Sequence, residues 1–208
     1  MKLQDLTIKE FLEKTYGSEP VPGGGSVSAL CGALAASLAE MVTALTIGRK
    51  KYADVEEEML KYAPQLEAAR RKFLDFIDLD AEAYALVFNA FKLPKDTEEQ
   101  KNFRNEEIQK ATLQAALVPL KVAETAVGIM DYINQIGRKG NRNAVTDACV
   151  AIMCARTAAL GAILNVRINL TGLDDKDKAQ ELSMRCGALK AEAEKKEAEL
   201  LEYGQGSF

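Results

Sequence analysis

Residues 20–51 read PVPGGGSVSALCGALAASLAEMVTALTIGRKK, and this stretch decides the fold. Pro20 and Pro22 stiffen the approach. Gly23, Gly24 and Gly25 admit backbone angles closed to other residues and let a second group come close to the main chain. Ser26 is suited to cap a helix that starts at Val27. From Val27 to Gly48 the chain is nearly all apolar and rich in Ala, Gly and Ser. A helix that is apolar on every side is buried on every side. Arg49, Lys50 and Lys51 close it with positive charge, which suits the negative end of a helix. The run approaches the length of a membrane span. Glu40 in its middle and its many small residues point instead to the inside of a helical bundle.

On the N-terminal side, Thr7 and Glu10 form a capping-box pattern with Leu6 and Phe11 as its hydrophobic staple. They predict a short helix over about 7–16, ended by Gly17. On the C-terminal side a helical pattern runs from about 55 to 91, with Pro64 expected to kink or split it. Lys92-Leu93-Pro94-Lys95 breaks the pattern, and Asp96 or Thr97 caps the next helix, about 97–136. Pro119 lies inside that helix. Gly137 to Gly140 reads as a turn. Residues 142–170 are again rich in small apolar residues and end at Gly172. Asp174 and Asp175 open a last helix to about Tyr203, strongly charged from Lys190 to Glu202. The tail GQGSF reads as frayed. No segment shows strand alternation bounded by hairpin turns. The expectation is all-α: a single domain over 1–208, an up-and-down helical bundle of about six to seven helices. Helices 27–48 and 142–170 carry more apolar surface than one bundle needs, and a second copy would cover it, so a homodimer is expected.

The chain has 208 residues, 48% hydrophobic and 28% charged, which suits one well-cored soluble domain. A net charge of −4 supplies no basic field for nucleic acid. Four cysteines without a CxxC pair, and no histidine, disfavour a zinc site and favour reduced, buried thiols. No metal is expected. The N-terminus, MKLQDLTIKEFLEK, has no signal-peptide core, so the expected location is the cytoplasm, with no membrane partner. Without histidine, acid–base chemistry falls to Asp, Glu, Lys, Tyr or Cys.

Asp78 and Asp80 lie two apart, about 200° around a helix, and cannot share a site. Positions 73, 77, 80, 84 and 88 follow helical spacing, so Asp80 falls in the apolar stripe and Asp78 outside it. An acid in an apolar stripe is either a proton-transfer group with a raised pKa or a buried Asp paired with a cation or cap. The PGGGS loop, Pro22 to Ser26, either offers N–H groups to an anion or permits close helix packing. Arg49 and Lys50, Lys92 with Lys95, and Arg138, Lys139 and Arg142 are three basic clusters at helix ends. Each is either a solvated charge or part of a rim for a polyanion. Asn165 and Asn169, four apart, share one helix face, and Asn141 and Asp147 lie near that helix's start. The amides either satisfy each other and the backbone or read the edge of a ligand. Glu40 has the option of a cation across a dimer or of the ligand; Glu82 and Glu124 are weaker candidates.

Eight blocks, in order, resemble the cyclodeaminase/cyclohydrolase family of folate one-carbon enzymes. They are P-x-P-G-G-G-S-V-x-A-L from Pro20, T-x-G-R-x-x-Y from Thr46, I-D-x-D-A-x-A-Y from Ile77, K-L-P-K from Lys92, V-P-L…A-E-T from Val118, Gly140-Asn141, Asp147, and N-V-x-I-N-L from Asn165. The resemblance implies the same helical fold and dimer. It places the family's proposed catalytic acid/base on Asp80 and lines the folate cleft with the glycine loop. It further implies a tetrahydrofolate derivative, with or without a polyglutamate tail, as substrate, and no cofactor. Two reactions are in question: hydrolysis of 5,10-methenyltetrahydrofolate to 10-formyltetrahydrofolate, and cyclodeamination of the 5-formimino form with release of ammonia. The stand-alone chain favours the first. A non-catalytic helical dimer or binding module is the reading from another class. It leaves Asp80 and the triple glycine unexplained.

Overall fold

The computed structural model describes residues 2–207. Among them are six α-helices: α1 Ile8–Tyr16, α2 Gly24–Thr46, α3 Glu56–Phe91, α4 Glu98–Lys139, α5 Val145–Leu170 and α6 Lys176–Gln205. Short 3-10 turns at Leu3–Asp5, Lys50–Tyr52 and Arg142–Ala144 complete them, and the described residues hold no strand. Helices α2 to α6 alternate in direction. Gly24 lies near Asn165 and Gly25 near Asp80 at one end, while Lys139 pairs with Glu58 at the other. The all-α bundle expected from the periodicity is the fold observed.

Local signals account for most boundaries. Thr7 and Glu10 make the reciprocal capping box of α1, and Phe11 is buried with Leu6 packed on the same core. Thr97 with Gln100 repeats the device for α4, and Asp175 caps α6 by accepting the Lys178 N–H. Four expectations are corrected. First, α2 begins at Gly24, with Gly23 as N-cap, so Ser26 lies inside the first turn and does not cap it. Second, α2 ends at Thr46; Gly48 takes φ +73°, and Arg49 to Lys51 lie beyond the helix. Third, Gly137, Arg138 and Lys139 continue α4, which stops at Gly140. The glycine at 137 is a packing requirement, not a helix stop: a Cβ there would meet Leu200 and Ala148 too closely. Fourth, α6 continues to Gln205, well into the tail. Pro64 splits nothing: α3 runs through it as one helix of 36 residues. The proline removes one backbone bond, and packing along both flanks of α3 supplies the rest.

The core lies where α2, α3, α4 and α5 meet, and Ala29, Ala36, Ala39, Ala155, Ala158 and Ala159 are wholly buried there. Alanine and glycine let the axes approach. A Cβ on Gly32 would sit 2.8 Å from Phe73 Cζ and closer to two other ring atoms, so that glycine seats the ring. Three helical segments, including α2 and α5, match a membrane span by length and composition, with about half of each apolar window buried inside the bundle. On the other side α2 leaves Leu34, Met41 and Leu45 exposed, and α5 leaves Val150, Met153, Leu164 and Ile168 exposed. Glu40, the one charge in α2, pairs with Arg70 of α3 at 2.7 Å within the same chain.

Candidate active site

A helix start without a side-chain cap leaves backbone N–H groups in need of acceptors. At α2 the acceptor comes from another helix. Asp80, about two thirds of the way along α3, lays its carboxylate against the first turn of α2, where Gly25 has no side chain. A Cβ on Gly25 would fall on that carboxylate, 2.6 Å from Oδ2 and nearer still to Oδ1. Close packing and anion binding, two separate readings of the glycine loop, are thus one feature, and the anion is the protein's own aspartate.

Ser26 is fully buried. Its hydroxyl lies 3.0 Å from the Ile77 carbonyl and 3.2 Å from Asp80 Oδ2. A hydroxyl has one proton, so it donates to either the carbonyl or the carboxylate, and accepts from Asp80 when Asp80 is protonated. Burial pushes the Asp80 carboxyl above the usual carboxylate range. The Ser26 hydroxyl and then its backbone N–H pull the other way without cancelling the effect. No neighbouring charge contributes, and Tyr84 is the other titratable residue lining the cleft.

The cleft over Asp80 is a cavity of about 290 Å³ between the glycine loop, α3, α4 and α5. Pro20, Val21 and Gly23 to Gly25 form one wall, with buried Pro22 behind them; Asn165, Ile168 and Asn169 form another, and Tyr84, Val87 and Ala115 complete the lining. Asn165 gives its amide N–H to Gly161 O at 2.9 Å. Asn169 gives its own to Asn165 O and Ala115 O at 2.8 and 3.0 Å. Neither amide oxygen accepts a hydrogen bond among the described residues, which leaves two acceptors for a ligand. A larger groove of about 670 Å³ between α2 and α3 runs past Glu40, but that carboxylate is already paired with Arg70. Chemistry rather than size singles out the smaller cavity.

The other nominated residues lie elsewhere. Asn141, Arg49, Lys50 and Asp147 gather at the opposite end of α2, about 33 Å from Gly24 at 1.5 Å per residue. There Asn141 ties the chain together: its side chain bonds Leu45 O and caps Asn143 N, and its N–H donates to Thr46 Oγ1. Asp147 occupies the first turn of α5, where a negative charge suits the helix dipole. Arg138 binds Glu199 O and Lys139 binds Glu58. The three basic clusters therefore form no single rim within one chain. Lys92 stands apart from the other two, just past the C-terminal end of α3 and beyond the cleft. Asp78 is not simply solvated, as its place off the stripe suggested. It is half-buried and accepts the Leu3 N–H at 2.6 Å and Gln4 Nε2 at 2.7 Å, tying the N-terminus to α3. Glu124 pairs with Arg185. Tyr84, absent from the sequence-based site, lines the cleft because it lies one turn beyond Asp80. That spacing, and its place at the end of the I-D-x-D-A-x-A-Y block, are its signals in the sequence.

Comparison with known proteins adds names to this geometry. Residues 7–188 match the family model described as formiminotransferase-cyclodeaminase. The chain is 40% identical over 187 residues to a methenyltetrahydrofolate cyclohydrolase of Methylorubrum extorquens, covering 90% of each. It is 34% identical over 199 residues to a formimidoyltransferase-cyclodeaminase of Rattus norvegicus, covering 96% of this chain and 37% of that protein. The crystal structure of a formiminotetrahydrofolate cyclodeaminase from Thermotoga maritima superposes with a TM-score of 0.89 at 29% identity, covering 99% of this chain and 98% of that one.

Proposed function

The chain belongs to the formiminotransferase-cyclodeaminase family and is a folate one-carbon enzyme, and on that premise we propose that it hydrolyses 5,10-methenyltetrahydrofolate to 10-formyltetrahydrofolate, reversibly, with Asp80 as acid and base. One observation carries the reading: a single carboxyl, raised by burial, held on a helix N-terminus at the floor of a small cleft. A base with a pKa nearer neutrality is the better proton carrier. The ionised carboxylate takes a proton as water adds to the cationic methenyl carbon, forming a tetrahedral carbinolamine. The protonated Asp80 then gives that proton to N5 as the C–N5 bond breaks, and the formyl group stays on N10. The hydroxyl proton leaves to solvent. Nothing is oxidised or reduced, so the reading calls for no redox cofactor. Ser26 turns its proton towards the carboxylate or the Ile77 carbonyl as Asp80 changes state, so neither state leaves a buried group unpaired. On this reading the oxygens of Asn165 and Asn169, whose amide N–H groups are taken by Gly161, Asn165 and Ala115 carbonyls, receive N–H groups of the pterin.

The second reading, cyclodeamination of 5-formiminotetrahydrofolate, uses the same carboxyl to protonate departing ammonia. Full-length similarity to the Thermotoga maritima protein favours it. Absorbance separates the two. Loss of the methenyl band on adding protein supports hydrolysis. Appearance of that band from the 5-formimino compound, with ammonia released, supports deamination. Silence in both refutes the assignment.

The exposed stripes of α2 and α5 are assigned to a second copy of the chain in the cytoplasm. Lipid is a poor alternative, because the Glu40–Arg70 pair sits beside the α2 stripe at mid-helix, and ionised groups there are costly in a bilayer. An antiparallel pairing of α2 with its copy would lay the far end of one helix over the near end of the other. Arg49, Lys50, Asn141 and Asp147 would serve a cleft only by that route.

A further inference from the structure

Resting on the folate reading, we propose that the surface row Tyr84–Phe88–Lys92 is the binding track for the p-aminobenzoyl-glutamate part of the substrate. Asp80, Tyr84, Phe88 and Lys92 are spaced four apart, so successive side chains are neighbours on α3, and the row climbs away from the acid. Tyr84 already lines the cleft with Asp80. Its ring stacks on Phe88 with centroids 6.3 Å apart and planes 15° apart, and Lys92 Nζ lies 3.9 Å from the Phe88 centroid. These groups are not core. Tyr84 is 40% and Phe88 49% exposed, and Lys92 is exposed. Neither Lys92 nor Lys95 has a carboxylate partner among the described residues.

Two nearly parallel aromatic rings and an unpaired cation, in line with a catalytic acid, need an occupant with the same order of parts. The substrate has it. The one-carbon bridge belongs at Asp80, and the adjoining aromatic amide presents a flat face to Tyr84 and Phe88. One or more glutamate carboxylates follow at Lys92 and Lys95. The track also explains how a cavity of about 290 Å³, small for a cofactor-sized ligand, serves a long one: it holds only the reacting end.

The test compares 5,10-methenyltetrahydropteroate, which lacks glutamate, with the mono- and triglutamate forms. Lys92→Glu is expected to raise KM roughly tenfold for the triglutamate and less for the monoglutamate, with under about a twofold change for the pteroate. Phe88→Ala is expected to raise KM for all three by about three- to tenfold. Both positions are exposed, so melting temperature and helicity should stay at wild-type values. Equal effects of Lys92→Glu on all three substrates, or none, would overturn the track while leaving the wild-type activity intact. So would a changed oligomeric state with KM unaltered, since the row would then be a protein interface. Wild-type protein inactive on every form would instead overturn the folate reading on which the track rests.

Discussion

Replacing Gly25 by alanine tests the site most directly, because one methyl group would compete with one carboxylate for the same space. The added Cβ would lie 2.6 Å from Asp80 Oδ2 and nearer to Oδ1 and Cγ, far inside contact distance. Gly25 is held in the first turn of a buried helix, so the carboxylate has to move. It then loses the Ser26 hydroxyl, a bond to a charged group worth about 1.5–3 kcal/mol where it stays buried. Overpacking of this kind costs about 1–3 kcal/mol, or several degrees in Tm at about 2–4 °C per kcal/mol for a chain of this size. The catalytic cost is larger. Losing a positioned acid–base group costs about 10²–10⁴ in rate. Initial rates of methenyl absorbance decay and a thermal melt read both effects. The double variant Gly25→Ala/Asp80→Ala supplies the control. With the carboxylate gone the methyl fits, so stability should recover by about 1–3 kcal/mol relative to the sum of the single changes, while activity stays absent. If Gly25→Ala keeps its rate within about threefold and its Tm, or if the two changes add, the carboxylate does not occupy the place assigned to it.

Asp80→Asn should abolish most turnover and raise stability at neutral pH. Burial lifts the Asp80 carboxyl in the folded chain, so the folded state binds more protons than the unfolded one between the ordinary and the raised value. Stability from this group is therefore full below the ordinary carboxylate range and falls as pH rises through the raised value. Chemical denaturation across pH should show the variant's advantage at neutral pH vanishing in acid; the opposite slope would refute the assigned shift. Ser26→Ala removes a group that holds the Asp80 pKa down. The acid limb of the kcat profile should move to higher pH, with KM little changed; an unmoved limb would leave Ser26 a packing residue. Leu164→Asp places a charge in the exposed stripe of α5, where Leu164 is 65% exposed. If that stripe is the proposed dimer interface, sedimentation should show a dimer for the unmodified chain and a monomer with helicity intact for the variant; equal sedimentation of the two would refute the interface.

Much of this protein is local and therefore legible in its sequence. Helix periodicity, the capping boxes at Thr7 and Thr97 and the Asp175 cap depend on residues within a turn of one another, and they predict the all-α bundle with boundaries a few residues off. The place of Asp80 on the helix face of Phe73 and Ile77 is likewise a matter of spacing, but the expected apolar stripe is buried only as far as Asp80, and Tyr84 and Phe88 beyond it are exposed. Contacts between distant segments are not legible in this way. Nothing near Ser26 in sequence indicates that its hydroxyl reaches α3 and leaves Gly23 as the helix cap, because the competing acceptors lie 51 and 54 positions away. Nor does spacing alone reveal that Glu40 finds Arg70 or that Asp78 holds the N-terminus. Three basic clusters near helix ends look equivalent in sequence. Antiparallel packing sends two of them to one end of the bundle and leaves Lys92 at the other. The sequence determines which helices form and which faces are apolar, since these follow from interactions a few residues apart. Only the tertiary structure decides which helix ends meet, and a site assembled where α2 begins and α3 passes exists only once they do.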